Sequence, residues 1–126
     1  MAGIIGLAQA LSETFCNADE NACKVRKMKD YLTDRIMRID DVIMNGDKDK
    51  CLPGIMNFSF KNVESESLLL LLDMAGIAAS GGSACSSGSL EASHVLKAMG
   101  LRDDYISGSL RISLGHENTM EEAEYI

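Results

Sequence analysis

From residue 2 to about residue 38, apolar side chains recur at three- and four-residue steps: Ile4, Ala8, Leu11, Phe15, Ala18, Ala22, Val25, Met28, Leu32 and Ile36. That spacing follows the 3.6-residue turn of an α-helix and predicts one long helix with an apolar stripe, the polar residues 17–21 being where a bend is tolerated. The period then shortens to two. Residues 41–44 and 55–60 read as strands, joined by the turn-rich NGDKDKCLPG of residues 45–54, in which Asn45-Gly46 marks the first reversal. Ser65 reads as the cap of a second helix, with Glu66 in its first turn, Leu68 to Leu72 and Met74 as its buried side and Gly76 as its stop. Residues 77–79 form a short strand in this reading, residues 80–89 a loop, residues 92–99 a helix ended by Gly100, and residues 109–114 a final strand. A last helix starts at Thr119. Short strands separated by helices predict an α+β fold, a small antiparallel or mixed sheet covered by helices on one face. Residues 1–126 make a single domain in this reading, without repeat or linker. Neither end carries a capping sequence, so both look cut from something larger.

The bulk numbers narrow the function. A chain of 126 residues is long enough to close a core without staples. Its formal charge is -7, and the basic residues scatter except for Lys24, Arg26, Lys27 and Lys29, which read as a solvated helix face. Nucleic acid and anionic membrane are therefore not expected as partners, because both demand a concentrated positive surface. The longest apolar run, residues 68–72, is far short of the ~20 residues that a membrane span needs. The N-terminal apolar stretch has no basic segment ahead of it, so a cytoplasmic location is expected.

Four cysteines, Cys16, Cys23, Cys51 and Cys85, lie 7, 28 and 34 residues apart. No close pair exists among them, and neither His94 nor His116 completes a tetrahedral set, so no metal site is expected. Free thiols suit a reducing compartment. Cys16 and Cys23 fall on one side of the first helix and read as small half-buried residues. Cys85 differs, since nine of the ten residues in SGGSACSSGS are Ser, Gly or Ala and offer no apolar wall. Side chains this small cannot anchor a loop by burial, and a thiol on such a tether is suited to collecting an atom in one pocket and delivering it in another. The helix that follows brings backbone amides near it, which favours the nucleophilic thiolate. The phosphate-cradling G-x-x-x-x-G-K-[ST] pattern is absent. Arg111 stands in SLRISL, where alternation sets Leu110, Ile112 and Leu114 on one face and Arg111 with Ser113 on the other. Facing water and gripping a carboxylate with its planar fork are both open to it. His94 and His116 read as surface or capping residues.

The stretches LPGIMNFSF, ESESLLLLLDMAGIAASGGSACSSGSLEASHVLKAMGL and GSLRISLG, between Leu52 and Gly115, resemble the C-terminal small domain of cysteine desulfurases of the NifS and IscS type. The segments KMKDYLTDRI and NTMEEAEYI resemble its flanking helices. The resemblance implies part of a fold-type I, class V aminotransferase-like enzyme that uses pyridoxal phosphate to convert L-cysteine to L-alanine. It implies that Cys85 accepts the sulfur as a persulfide and that Arg111 holds the substrate carboxylate. An iron–sulfur scaffold or another sulfur acceptor protein would take the sulfur onward, and the full-length enzyme would be a homodimer. The family's cofactor lysine, in a histidine-lysine motif of the large domain, and the aspartate and histidine that tune the ring have no counterpart here. No cofactor-binding residue is therefore expected in this chain, nor activity from the chain alone. His116 stands where the family commonly has arginine, and Glu117 where it commonly has an aromatic residue. Alternatives are a stand-alone persulfide carrier or adaptor, a fragment similar to a selenocysteine lyase, and a structural domain that only mediates dimer contacts.

Overall fold

A computed structural model describes residues 1–82 and 93–126. Helix α1 (Ala2–Ile36) carries the apolar stripe for 35 residues, about 52 Å at ~1.5 Å per residue, which outruns the short sheet beneath it. Only its second half packs. Val25, Met28, Leu32 and Thr33 are buried and so, against expectation, is Lys29, whereas Ile4 and Phe15 stand 70% and 76% exposed. The stripe thus continues beyond the surface that this domain covers.

Three strands form the sheet, β1 (Val42–Met44), β2 (Ile55–Phe60) and β3 (Ser109–Ser113), in the order β1-β2-β3 with both pairings antiparallel. β1 begins one residue later than the pattern implies, because Asp41 turns the chain at a φ of 57°. The register pairs Met44 with Phe58, Phe58 with Leu110 and Met56 with Ile112. Period-two alternation therefore gathers one apolar face, and Val25, Met28 and Leu32 of α1 close the core over it, with Phe58 and Met28 fully inaccessible. Ala123 of helix α5 (Met120–Tyr125) completes the cluster. Thr119 and Glu122 form a reciprocal capping box at the start of α5, which fixes the helix where its one buried residue is needed. The result is the expected α+β arrangement.

The remaining helices depart from the pattern in instructive ways. In helix α2 (Ser65–Met74) the N-cap position falls on Glu64, whose side chain makes no capping bond, and the Ser65 hydroxyl instead donates to the Ser109 carbonyl at 2.7 Å. Leu68, Leu69 and Leu72 are half-buried against the core, while Leu70, Leu71 and Met74 are exposed, so the apolar run does not define a buried side. Residues 77–79 form no strand; pairing is confined to a bridge between Ser80 and Arg111. Helix α3 (His94–Ala98) ends before Gly100, and Gly76 and Gly100 carry the positive φ values that close α2 and α3. Helix α4 (Asp103–Ile106), at four residues, is too short for periodicity to announce. It is nevertheless fastened: Ile106 is buried, and the Asn62 amide donates to the Asp104 carbonyl at 2.8 Å. Among the described residues no helix is long and apolar enough to cross a membrane.

Candidate functional site

The strand alternation that sends Leu110 and Ile112 into the core sends Ser109, Arg111 and Ser113 to the opposite face of the sheet, beside Asn57 and Ser59 of β2. That second face is polar and internally bonded. Asn45 donates to Asn57 Oδ1 at 2.6 Å and to Ser59 Oγ at 2.8 Å, and Asn57 donates to Ser109 Oγ at 3.3 Å. Ser59 and Ser109 are buried with these partners, whereas Asn57 and Arg111 are half-buried and lie directly across from one another in the register. Among the described residues, no carboxylate lies within ion-pair distance of the Arg111 guanidinium. A planar five-donor fork on a rigid strand, half in and half out of water, is suited to a carboxylate ligand.

The outer edge of β3 anchors the start of the glycine–serine segment. The Arg111 amide donates to the Ser80 carbonyl at 2.6 Å, and the Ser80 amide donates to the Arg111 carbonyl at 3.0 Å. Ser80 Oγ donates to the Gly82 carbonyl at 2.9 Å. Gly81 passes so close to α2 that a Cβ there would run into Ser65 Oγ and crowd Leu69, so glycine is required by contact and not by φ. On the far side, the Ser93 hydroxyl caps α3 by accepting from the Leu96 amide at 3.5 Å. Cys85 itself lies outside the described residues. Its five-residue separation from Ser80 nonetheless limits the span of chain between them to about 17 Å, at ~3.3–3.6 Å per residue. The chain is therefore fastened to the arginine-bearing strand shortly before the thiol.

The other candidate residues are not brought to this place. His94 opens α3 and is exposed; His116 is exposed and borders an open groove of about 550 Å³ with Glu13, Asn17 and Glu20 of α1. Cys16 and Cys23 are exposed rather than half-buried: Cys16 lies on the part of α1 that extends past the packed core, and Cys23, two residues before buried Val25, falls on the other side of the helix. Lys29 is not part of a solvated face: at 3% exposure its amine lies against Cys51 and the Leu52 carbonyl. Among the described residues, no group of three His, Cys, Asp or Glu side chains could hold a metal ion. Sequence reasoning missed Ser80, Ser65 and Asn57 as the supports of the site. Asn57, a polar residue at mid-strand in IMNFSF, was the one available signal that the second sheet face is polar.

Comparison with known proteins agrees with this architecture. The chain is 46% identical over 128 residues to the cysteine desulfurase IscS of Clostridium botulinum, covering 99% of this chain and 32% of that protein. It is 41% identical over 121 residues to cysteine desulfurase IscS 1 of Archaeoglobus fulgidus, covering 96% of this chain and 32% of the relative. A solved NifS-like protein superposes with a TM-score of 0.81 at 29% identity, covering 98% of this chain and 30% of that one. The chain thus spans about a third of the length of the relatives it matches. Matching over all of residues 1–126, the chain belongs to the aminotransferase class-V family.

Proposed function

We propose that this chain is the C-terminal small domain of a cysteine desulfurase, contributing the sulfur-accepting thiol Cys85 and the carboxylate-binding Arg111. The observation that carries the reading is the paired Ser80–Arg111 backbone bridge, which ties the root of the thiol-bearing segment to the strand that presents the guanidinium. In this reading Arg111 fixes the α-carboxylate of L-cysteine through two parallel N–H···O bonds and so sets the direction in which the substrate sulfur points. The Cys85 thiolate attacks that sulfur; the carbon–sulfur bond breaks, a sulfur–sulfur bond forms, and L-cysteine plus thiol become L-alanine plus persulfide. The persulfide then passes to an acceptor protein, an iron–sulfur scaffold being the expected class, from a cytoplasmic homodimeric enzyme.

The described residues do not fit pyridoxal phosphate by themselves. Lys29, the buried lysine among them, is 3% exposed with its amine held against Cys51 and the Leu52 carbonyl, and the groove near His116 is lined by Glu13 and Glu20, which repel a phosphate. The cofactor's lysine and its phosphate seat are therefore assigned to the part of a full-length enzyme beyond these 126 residues. When bound there, pyridoxal phosphate supplies the electron sink. The test is a chimaera in which this chain replaces the matching third of the Clostridium botulinum relative. It should release alanine from L-cysteine. Arg111→Lys should raise KM for cysteine by about tenfold or more, corresponding to the ~1.4 kcal/mol or more of a lost charge-assisted bond, and Cys85→Ala should abolish turnover. Unchanged KM in the arginine variant, or turnover without Cys85, would count against the assignment.

A further inference from the structure

Outside the sheet face just described, one pair of reactive side chains is unused by the proposed chemistry. Lys29 projects from the buried side of α1 into the turn-rich segment between β1 and β2, where its Nζ lies 2.6 Å from Cys51 Sγ and 3.1 Å from the Leu52 carbonyl oxygen. The Cys51 thiol is half-buried and reaches the Lys48 carbonyl at 3.1 Å. Two features of this contact bear on its chemistry. The nitrogen and the sulfur lie 2.6 Å apart, close enough for a single atom to bridge them. Lys29 is also 3% exposed, and among the described residues no carboxylate pairs with it. A buried ammonium without a counter-charge is costly, and becoming part of a neutral covalent link would relieve that cost.

We propose that Lys29 and Cys51 form a redox-responsive covalent site, in which peroxide joins Nζ to Sγ through a single bridging oxygen. The separation fits one bent N–O–S linkage, whereas a direct sulfur–nitrogen bond requires the two atoms to close well inside it. The balance uses hydrogen peroxide as the oxidant. The Cys51 thiol, the Lys29 ammonium and two molecules of H2O2 give Cys–S–O–NH–Lys, three waters and a proton. The S–H bond and two N–H bonds break, the S–O and O–N bonds form, and each peroxide accepts two electrons. The half-exposed thiol is the entry point for the oxidant, its first product being the sulfenic acid. The second peroxide takes the Lys29 amine to the hydroxylamine level, releasing water and a proton, and the hydroxylamine oxygen then displaces water from the sulfenic acid to close the S–O–N link. The link fastens the β1–β2 connection to α1 across 22 residues of sequence, restricting the unfolded chain as a disulfide does.

The test is peptide mapping of the 126-residue chain after titration with hydrogen peroxide and blocking of the remaining thiols. The expected result is a cross-linked pair of peptides containing Lys29 and Cys51, heavier than their sum by one oxygen and lighter by two hydrogens. It should be cleaved by dithiothreitol and accompanied by a rise in Tm that the reductant reverses. Lys29→Arg, which keeps charge and stem but lacks the primary amine, should lose the linked pair completely while Cys51 still takes up oxygen. Separate Lys29 and Cys51 peptides at peroxide doses that oxidise Cys51 in the unaltered chain would overturn the proposal. So would a link without oxygen. Mapping of the unaltered chain decides the matter even where the Lys29 variant does not fold.

Discussion

Substituting Gly81 by alanine perturbs the contact between residue 81 and helix α2. A methyl group there occupies the space of Ser65 Oγ and presses on Leu69, and Ser65 Oγ is itself committed to the Ser109 carbonyl at 2.7 Å. Forcing an extra carbon into such a contact costs about 1–3 kcal/mol, and displacing the serine hydroxyl from its partner costs about 0.5–1.5 kcal/mol. The expected loss for Gly81→Ala is therefore about 1.5–4.5 kcal/mol, read as a lower urea midpoint at unchanged slope. Ser65→Ala alone should cost about 1 kcal/mol. In the Ser65→Ala background, Gly81→Ala should cost clearly less than in the unaltered chain, because the colliding oxygen is gone. This positive coupling is the signature of a direct clash. Additive effects of the two substitutions, or a Gly81→Ala chain as stable as the original, would refute the close packing of the segment's root on α2.

Three further outcomes follow from the geometry. Phe58→Ala, at the fully buried centre of β2, should destabilise the chain by about 3–5 kcal/mol in urea unfolding. Thr119→Ala removes the hydroxyl half of the α5 capping box and should cost about 1 kcal/mol, while Thr119→Ser should restore most of it. The Glu122 carboxylate accepts from the Asn118 side chain at 3.0 Å and the Thr119 amide at 3.1 Å, bonds that hold its pKa below the ordinary glutamate value, with the Lys24 charge assisting. The folded state thus binds that proton less tightly than the unfolded chain. The contribution to stability is present above the ordinary glutamate range and is lost as pH falls through the lowered folded value. An NMR titration should place the Glu122 midpoint below that of the urea-unfolded chain, and a midpoint at or above it would contradict the capping geometry.

Much of the architecture was legible because single periodicities decide it. The three- and four-residue recurrence locates α1, and alternation in SLRISL by itself separates Leu110 and Ile112 from Arg111. What periodicity cannot supply is the partner. The stripe through Ile4, Leu11 and Phe15 looks the same in sequence as that through Val25, Met28 and Leu32, yet only the second meets the sheet. Lys29 read as solvated because its neighbours Lys24, Arg26 and Lys27 are charged; its burial depends on the fold of residues 45–54, which sequence registers only as a turn. Ser65 illustrates the same limit. Its residue type fits a helix cap, and the tertiary contact with Ser109 decides otherwise. For the site, Arg111 and its orientation across the sheet were readable, but its bridge to Ser80 joins residues 31 positions apart and leaves no local trace.

The central claim is that Cys85 is the thiol of this chain that takes sulfur. Intact-mass and peptide analysis after brief exposure of the native chain to a small-molecule persulfide, with R–S–SH passing its outer sulfur to a thiolate, tests it directly. The account predicts a gain of one sulfur on the Cys85 peptide, lost in Cys85→Ala and retained when Cys16, Cys23 and Cys51 are replaced by serine. Sulfur found on those other cysteines with Cys85 unloaded would contradict it.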